Sequence, residues 1–470
     1  MRDEVPLSPP TLFQELFSPT ALLAVFKETF SEATSKGVDR LNGFQYGKRA
    51  ESDVAVVSAK CLSGRYRFSP YLENLKLKGR GKAPRLISIP TVRDRIVLHQ
   101  LKKILAAAFP ECVPRNIAGH YVRAIAEDLS GRDPAATFVC GCDIKTFYDD
   151  VRRTRLLERL DRHFGCPETV CLIKHALLTP TVSRNARQAE YKTFATENGV
   201  PQGLAISNIL ASIYLQEVDD AMKKMSVTYF RYVDDVIMYG PENDVVRARK
   251  SLGARLRARG LSLHSFGSGK RHLAPMSRQF GYLGYLFAWP KVTVRELTIE
   301  RLLQTLAAKF SDYIYNKEQR LRRFDYLTKE RLKTIFLAEI NERISGAISG
   351  RRRYGWIAYF SQINDLTLLH RLDHTVAAMF RRLSDFDHKP PGELKTFRRA
   401  YFEIKFNPNG VYVHDYDAID TPEAKLSFLV GRGRVGPKEN LTDEEINARF
   451  ERYMYHVLSA MEADEEAIYG

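Results

Sequence analysis

The chain has 470 residues, is 44% hydrophobic and carries a formal net charge of +16. Such a length supports more than one packed domain, the positive surplus points to a polyanionic partner such as nucleic acid, and six cysteines are too few for a disulfide scaffold. The N-terminal MRDEVPLSPP lacks an apolar h-region and no run of about 18 apolar residues occurs, so neither a signal peptide nor a membrane span is expected, and the cytoplasm is the default location.

Ser18-Pro19 is an N-cap followed by proline at the first helical position, with Leu22, Val25, Phe26 and Phe30 at helical spacing behind it. NLKLKGRGKAPR (74–85) mixes cations with glycine and proline and is predicted to be an exposed basic hairpin or loop. RLISIP (85–90) is strand-like and 94–109 helical. TFVCGCD (137–143) is a short strand ending in an acid, on which alternation turns Cys140 and Cys142 to one face and Asp143 to the other. AISNILASIYLQ (205–216) places Ile206, Ile209, Leu210 and Ile213 on one helical face. FRYVDDVIMYG (230–240) is a strand–turn–strand, 243–259 a basic amphipathic helix, and FGYLGYLF (280–287) strand-like. Helices follow over 298–310, with Thr298 as expected N-cap, then over 329–341 and 365–382. A proline break in DHKPPGELK (387–395) sets a boundary near 386. The expected organisation is a helical segment 1–70, a mixed helix-and-strand domain 71–290, a helical region 291–386 and an extension 387–470.

Adjacent charges in an apolar run cost free energy unless neutralised. Asp143 at a strand end and Asp234-Asp235 at a hairpin tip can converge, and three converging carboxylates repel unless cations intervene. Two divalent ions roughly 3.5–4 Å apart remove that repulsion and make a catalyst for in-line phosphoryl transfer. Oxygen ligands suit Mg²⁺, with Mn²⁺ as a substitute. A lone YVDD is no more than an acidic turn; the ordered set of CDIKTFYDDV, NGVPQGLAISN and YVDD is far more specific. His163, Cys166, Cys171 and His175 invite a zinc reading, but a buried loop and helix is the better one.

With RLISIPTVRDRIVLHQ, CDIKTFYDDV, NGVPQGLAISNILASIYL, FRYVDDVIMYG and FGYLGYLF, the chain resembles reverse transcriptases from about Gly37 to Arg382. It is most similar to bacterial enzymes related to group II intron reverse transcriptases, whose thumb region SGRRRYGWIAYF and LLHRLDHTVAAMFRR resemble. The resemblance implies an α+β right-hand polymerase fold: fingers, an antiparallel palm sheet, a helical thumb over 291–386, and a C-terminal extension without a recognised counterpart. It implies an RNA-directed DNA polymerase that takes an RNA template, a DNA product and dNTPs. Asp143 and Asp234 would bind both metals, with Asp235 assisting and the Ile144 carbonyl as a further ligand. Tyr148 would exclude a 2′-hydroxyl. Gln202 and Gly203 would line the nucleotide pocket, and Arg85 with Lys78 or Lys82 would hold the triphosphate. Lys270 would protonate the departing pyrophosphate. Tyr282 belongs to a primer-grip-like hairpin, and Arg351, Arg352, Arg353, Tyr354 and Trp356 combine cations with rings suited to nucleic acid.

Antiphage defence with a noncoding RNA template is the biological role expected, with a group II intron-like or retron-type enzyme as alternatives. An RNA-binding splicing or chaperone protein retaining the fold is the alternative from another class, and the three acids argue against it. An RNA-dependent RNA polymerase is opposed by Tyr148. A tyrosine acting as protein primer, a companion protein and a homo-oligomer stay open.

Overall fold

The computed structural model describes residues 9–76, 83–114, 117–265 and 272–466. Lys78, Lys82 and Lys270, with the tip of the basic loop, lie outside them. The chain divides into two compact units, one of residues up to 117 with 135–275, the other of 118–134 with 276 onward.

In the first unit, β1 (Tyr71–Lys76) and β2 (Arg85–Ile89) are antiparallel. β3 (Phe138–Lys145) begins the main sheet, and β4 (Thr181–Val182) runs parallel to β1. β5 (Thr228–Tyr232), β6 (Asp235–Gly240), β7 (Ser262–Leu263) and β8 (His272–Pro275) complete that sheet in the order β5-β6-β3-β7, with β8 also paired to β3. All its pairings are antiparallel. Cys140 and Cys142 lie on one buried face, Sγ to Sγ 3.6 Å, within the apolar core. Gly141 between them is needed for close approach: a Cβ there would lie 2.0 Å from the ring of His272 on β8.

Helices cover the sheet because their apolar stripes match it. Helix Ser207–Lys223 buries Ile209, Leu210 and Ile213 to 3% exposure or less, the face expected from their spacing. Helix Val92–Ala108 begins at Thr91, whose hydroxyl oxygen accepts from the Asp94 N–H. Asp94 is fully buried and accepts from Tyr66 Oη (2.5 Å), the Ser69 N–H (3.0 Å) and Thr91 Oγ1 (2.8 Å), so its burial is compensated. Ser18 caps helix Pro19–Val25 as its sequence suggests.

In the second unit, β9 (Phe280–Tyr282), β10 (Tyr285–Ala288) and β11 (Lys291–Val294) form an antiparallel meander. Helix Glu296–Arg323 follows. Its cap position is the extended Arg295, and Thr298 is buried inside the first turn, which corrects the expected N-cap. Helices Lys329–Ser345 and Leu366–Met379 come next. The SGRRRYGW segment is a hairpin of β12 (Ala347–Ser349) and β13 (Arg352–Tyr354), joined by β14 (His414–Asp415) parallel to β12. Residues 387–466 fold within this unit, and helices Pro422–Gly431 and Asp443–Glu466 build a core around Tyr416, Leu429, Phe450 and Met461. No helix among the described residues is long and apolar enough to cross a membrane.

Candidate active site

The geometry of the acidic cluster follows from strand register. Cys142 pairs with Val236 and Asp143 with Asp235 across β3 and β6, while Tyr232 pairs with Asp235 across β5 and β6. Directly opposed residues on antiparallel strands have Cα atoms about 4.5–5.5 Å apart and share a face. Val233 and Asp234 form the two-residue turn, and the Ile144 N–H donates to the Asp234 carbonyl at 3.1 Å. The residue opposite Asp143 is therefore Asp235, while Asp234 is tied to β3 through its backbone. His264 closes the other side, its N–H donating to the Asp143 carbonyl at 3.0 Å and its Nε2 lying 3.4 Å from Asp143 Oδ1.

The turn itself is strained. Val233 has φ +56°, a left-handed conformation that β-branched residues avoid. Such strain costs on the order of 1–3 kcal/mol and persists where surrounding structure enforces it. Here the enforcing group is Arg231. Its Nη1 donates to the Val233 carbonyl at 2.8 Å, its Nε donates to Asp219 Oδ1 at 2.8 Å, and its Nη2 contacts Asp219 Oδ2. Tyr229 Oη also donates to Asp219 Oδ1, at 2.9 Å. A two-point ion pair thus runs from helix Ser207–Lys223 to the acidic turn. Arg231 and Asp219 were not singled out in the sequence, where an arginine before YVDD is indistinguishable from the other basic residues.

The nucleotide-pocket candidates gather around β2 and the PQG loop. The Ser88 N–H donates to the Gln202 carbonyl at 2.7 Å. Gly203 has φ +100°, and a Cβ there would come within 2.7 Å of Ile87 Cγ2 and 2.9 Å of the Ser88 carbonyl. Arg153 holds the front of the loop, its Nε donating to the Gly199 carbonyl and its Nη2 to Thr196 Oγ1, both at 2.7 Å. Gly203→Ala should therefore destabilise the protein by ~1–3 kcal/mol and raise the dNTP KM more than it lowers kcat. Thermal melting and steady-state kinetics check this, and an unchanged KM would refute it.

Tyr148 is half-buried, and its Oη donates to Asn208 Oδ1 at 2.6 Å, which fixes the ring. Burial, with the charge of Asp234 adding to it, pushes its phenol well above the usual range, so it stays neutral. The Asp234 and Arg85 charges both act on this phenol, with opposite sign. Asn208 is another residue that sequence reasoning missed, although it ends the quoted NGVPQGLAISN.

Several other candidates fall elsewhere. Tyr282 is 3% exposed and Trp356 1%, so neither ring is presented to a base. The expectation for both is corrected: Trp356 packs against Phe360 and Phe397 at centroid distances of 4.9 and 6.0 Å, and Tyr282 lies in the β9–β10 pairing. Arg353 is spent on the chain itself, its Nη1 donating to the Ile404 carbonyl at 3.0 Å and its Nη2 to that of Pro408 at 2.5 Å. Tyr354 is half-buried against the C-terminal core. Arg351 and Arg352 remain exposed at a hairpin tip whose 350 and 351 N–H groups donate to Asp417. His163 stacks on Phe109 and contacts the Ala108 carbonyl at 2.9 Å, while Cys171 lies 3.7 Å from His175 Nε2.

Among the described residues no three His, Cys, Asp or Glu side chains close around a common metal position. The donor set nonetheless suits a hard cation, because Asp143 and Asp235 oppose each other and Asp234 is their neighbour. A cation that keeps several waters and recruits substrate phosphates does not require a complete protein cage.

A carboxylate pair opposed across an antiparallel sheet, beside a glycine-bearing loop and a fixed aromatic ring, is the arrangement expected of a palm sheet, and it lies in the first unit. Residues 77–287 match the family model described as reverse transcriptase (RNA-dependent DNA polymerase), and this segment belongs to that family. The chain is similar to the protein YkfC of Escherichia coli, 26% identical over 197 residues that cover 40% of this chain and 50% of that one. It is also similar to the group II intron-encoded protein LtrA of Lactococcus lactis, 22% identical over 232 residues covering 47% of this chain and 36% of that one. The chain thus spans half or less of these relatives' length. Among solved structures, telomerase from Candida albicans with a fragment of telomeric RNA aligns over 91% of this chain and 68% of that chain, at 11% identity and a TM-score of 0.42. Apo telomerase from Candida tropicalis aligns over 48% of this chain and 55% of that chain, at 15% identity and a TM-score of 0.36.

Proposed function

We propose that the protein is an RNA-directed DNA polymerase that adds dNTPs by metal-assisted nucleotidyl transfer. The observation that carries the reading is the register opposing Asp143 to Asp235 with Asp234 in the adjoining turn, inside a reverse transcriptase family segment. Asp143, Asp234 and Asp235, with the Ile144 carbonyl, would hold two Mg²⁺ ions, or Mn²⁺ in their place. When bound, these supply Lewis acidity that acidifies the priming hydroxyl and neutralises the triphosphate and leaving oxygen.

The chain's own residues do the rest. Arg85, with Lys78 or Lys82, binds the triphosphate; Gln202 and Gly203 shape the pocket; Lys270 delivers a proton to pyrophosphate. Tyr148 rejects the ribose 2′-hydroxyl sterically, its ring held by Asn208. Residues 291–386 act as thumb, and exposed Arg351 and Arg352 contact the duplex backbone through salt-sensitive charge contacts. The biological setting we favour is antiphage defence with a noncoding RNA template. What supports it is a C-terminal extension, beyond the family segment, that supplies most of an apolar core shared with Ala347 and Tyr354. Phage plating efficiency with and without the gene tests this setting, and equal plating would dismiss it.

Primer extension on an RNA template tests the chemistry, with Asp234→Ala as the inactive control. Wild type should extend with dNTPs and not with NTPs. Tyr148→Val should raise the NTP:dNTP ratio of kcat/KM by ~100-fold, the scale at which a shape-selective pocket discriminates. Absence of extension by wild type would remove the polymerase reading, and an unaltered ratio would remove the steric gate.

A further inference from the structure

The C-terminal unit holds a cavity of about 640 Å³ between helices Glu296–Arg323, Lys329–Ser345 and Asp443–Glu466. Its wall carries five cations, Lys309, Arg343, Arg434, Arg449 and Arg452, against two carboxylates, Glu339 and Glu342.

The carboxylates are already engaged. Glu339 is shared by Lys309 at 3.0 Å and Arg434 at 3.6 Å, so two cations divide one anion. Glu342, 3% exposed, pairs with Arg432 at 3.2 Å and accepts from Tyr416 Oη. Arg343 pairs with Asp464 at 2.6 Å and Arg449 with Glu439 at 2.6 Å. Arg452 is exposed and has no carboxylate partner among the described residues, and exposed His456 follows one helical turn later on the same face. The cavity therefore has a local positive surplus, centred on Arg434 and Arg452, with the His456 ring beside them. Its remaining wall is apolar, from Tyr453, Val457 and Met461.

Guanidinium groups match phosphate through paired N–H donors, and their planes also stack on flat rings. A volume inside the ~300–1,000 Å³ range of small-ligand pockets exceeds the needs of a lone phosphate and excludes a duplex. We propose that this cavity is a second nucleotide site, separate from the polymerase carboxylates, that binds one nucleoside phosphate, either free or as the phosphorylated end of an RNA strand. Arg452 and Arg434 hold the phosphate, and the apolar wall receives the base. The proposal does not depend on the polymerase reading.

Isothermal titration of the full chain in EDTA tests it, with ATP, a 5′-phosphorylated RNA pentanucleotide and inorganic phosphate as probes. Wild type should bind ATP or the pentanucleotide saturably at one site. Arg452→Glu and His456→Glu, both exposed on a helix and expected to fold, should each weaken binding by tenfold or more, while Asp234→Ala should leave it unchanged. Tighter binding of the pentanucleotide than of ATP assigns a strand end, and equal or weaker binding assigns a free nucleotide. The proposal is overturned if neither nucleotide binds, if inorganic phosphate binds as well as both, if both glutamate variants bind normally, or if Asp234→Ala abolishes binding.

Discussion

Asp143→Asn should slow dNTP addition by ~10³-fold or more, about 4 kcal/mol of lost transition-state stabilisation. It should leave binding of a primer–template within about twofold, because that affinity rests on Lys and Arg contacts to the backbone. The fold should not suffer. Asp143 and Asp235 oppose each other across β3 and β6, and two carboxylates so placed repel in the absence of cations. Removing one charge relieves that repulsion, so the melting temperature in EDTA should stay level or rise. Loss of activity with retained or increased stability is the signature of a site held together at the expense of stability. Single-turnover extension and thermal melting measure the two halves. Normal extension by Asp143→Asn would withdraw the carboxylate from catalysis, and a large drop in melting temperature would make its role structural.

The second large effect is expected at Arg231, which acts through the turn. Its guanidinium carries the Val233 carbonyl and both oxygens of Asp219, and the Arg231 and Asp219 side chains are 10% and 14% exposed. Arg231→Ala strands Asp219 and frees the left-handed Val233. Breaking a largely buried pair from one side costs about 3–5 kcal/mol at full burial, and less here. Extension kcat should fall ~100-fold as Asp234 and Asp235 lose their fixed positions, with the dNTP KM nearly unchanged, since a displacement of about 1 Å suffices for such a loss. Arg231→Lys should recover stability partly and kcat poorly, because an ammonium cannot span both Asp219 oxygens and the carbonyl. Adding Asp219→Ala to Arg231→Ala should restore much of the stability without restoring kcat. A double variant that regains full kcat would show that the pair serves the fold alone.

Both effects centre on the 230–240 hairpin. Its existence was legible, because alternating aromatic and β-branched residues on either side of an acidic pair can form little else in so short a segment. Helix Ser207–Lys223 and the buried cysteine pair on β3 were legible for the same reason, as local periodicity sets which face is apolar. Thr298 misled because threonine is a good cap anywhere, and the extended Arg295 upstream claimed the position. Trp356 misled because a ring beside arginines looks alike whether it is presented to a base or packed in a core, and Tyr282 because a hairpin motif does not say which of its rings is buried. Arg231, Asp219, Asn208 and Arg153 left no local signal, since each acts on a partner distant in sequence or hidden in backbone geometry.

By itself, the sequence determined the class of protein: the basic surplus, the order of the acidic and glycine-bearing motifs, and the helices and strands that carry them all depend on nearest neighbours along the chain. Tertiary structure alone decided which aspartate faces which, what pins the strained turn, which rings are buried, and that the C-terminal helices enclose a cationic cavity. Those features arise from strand register and from pairing between distant segments, where a shift of one residue reverses every side chain, and no local pattern encodes that choice.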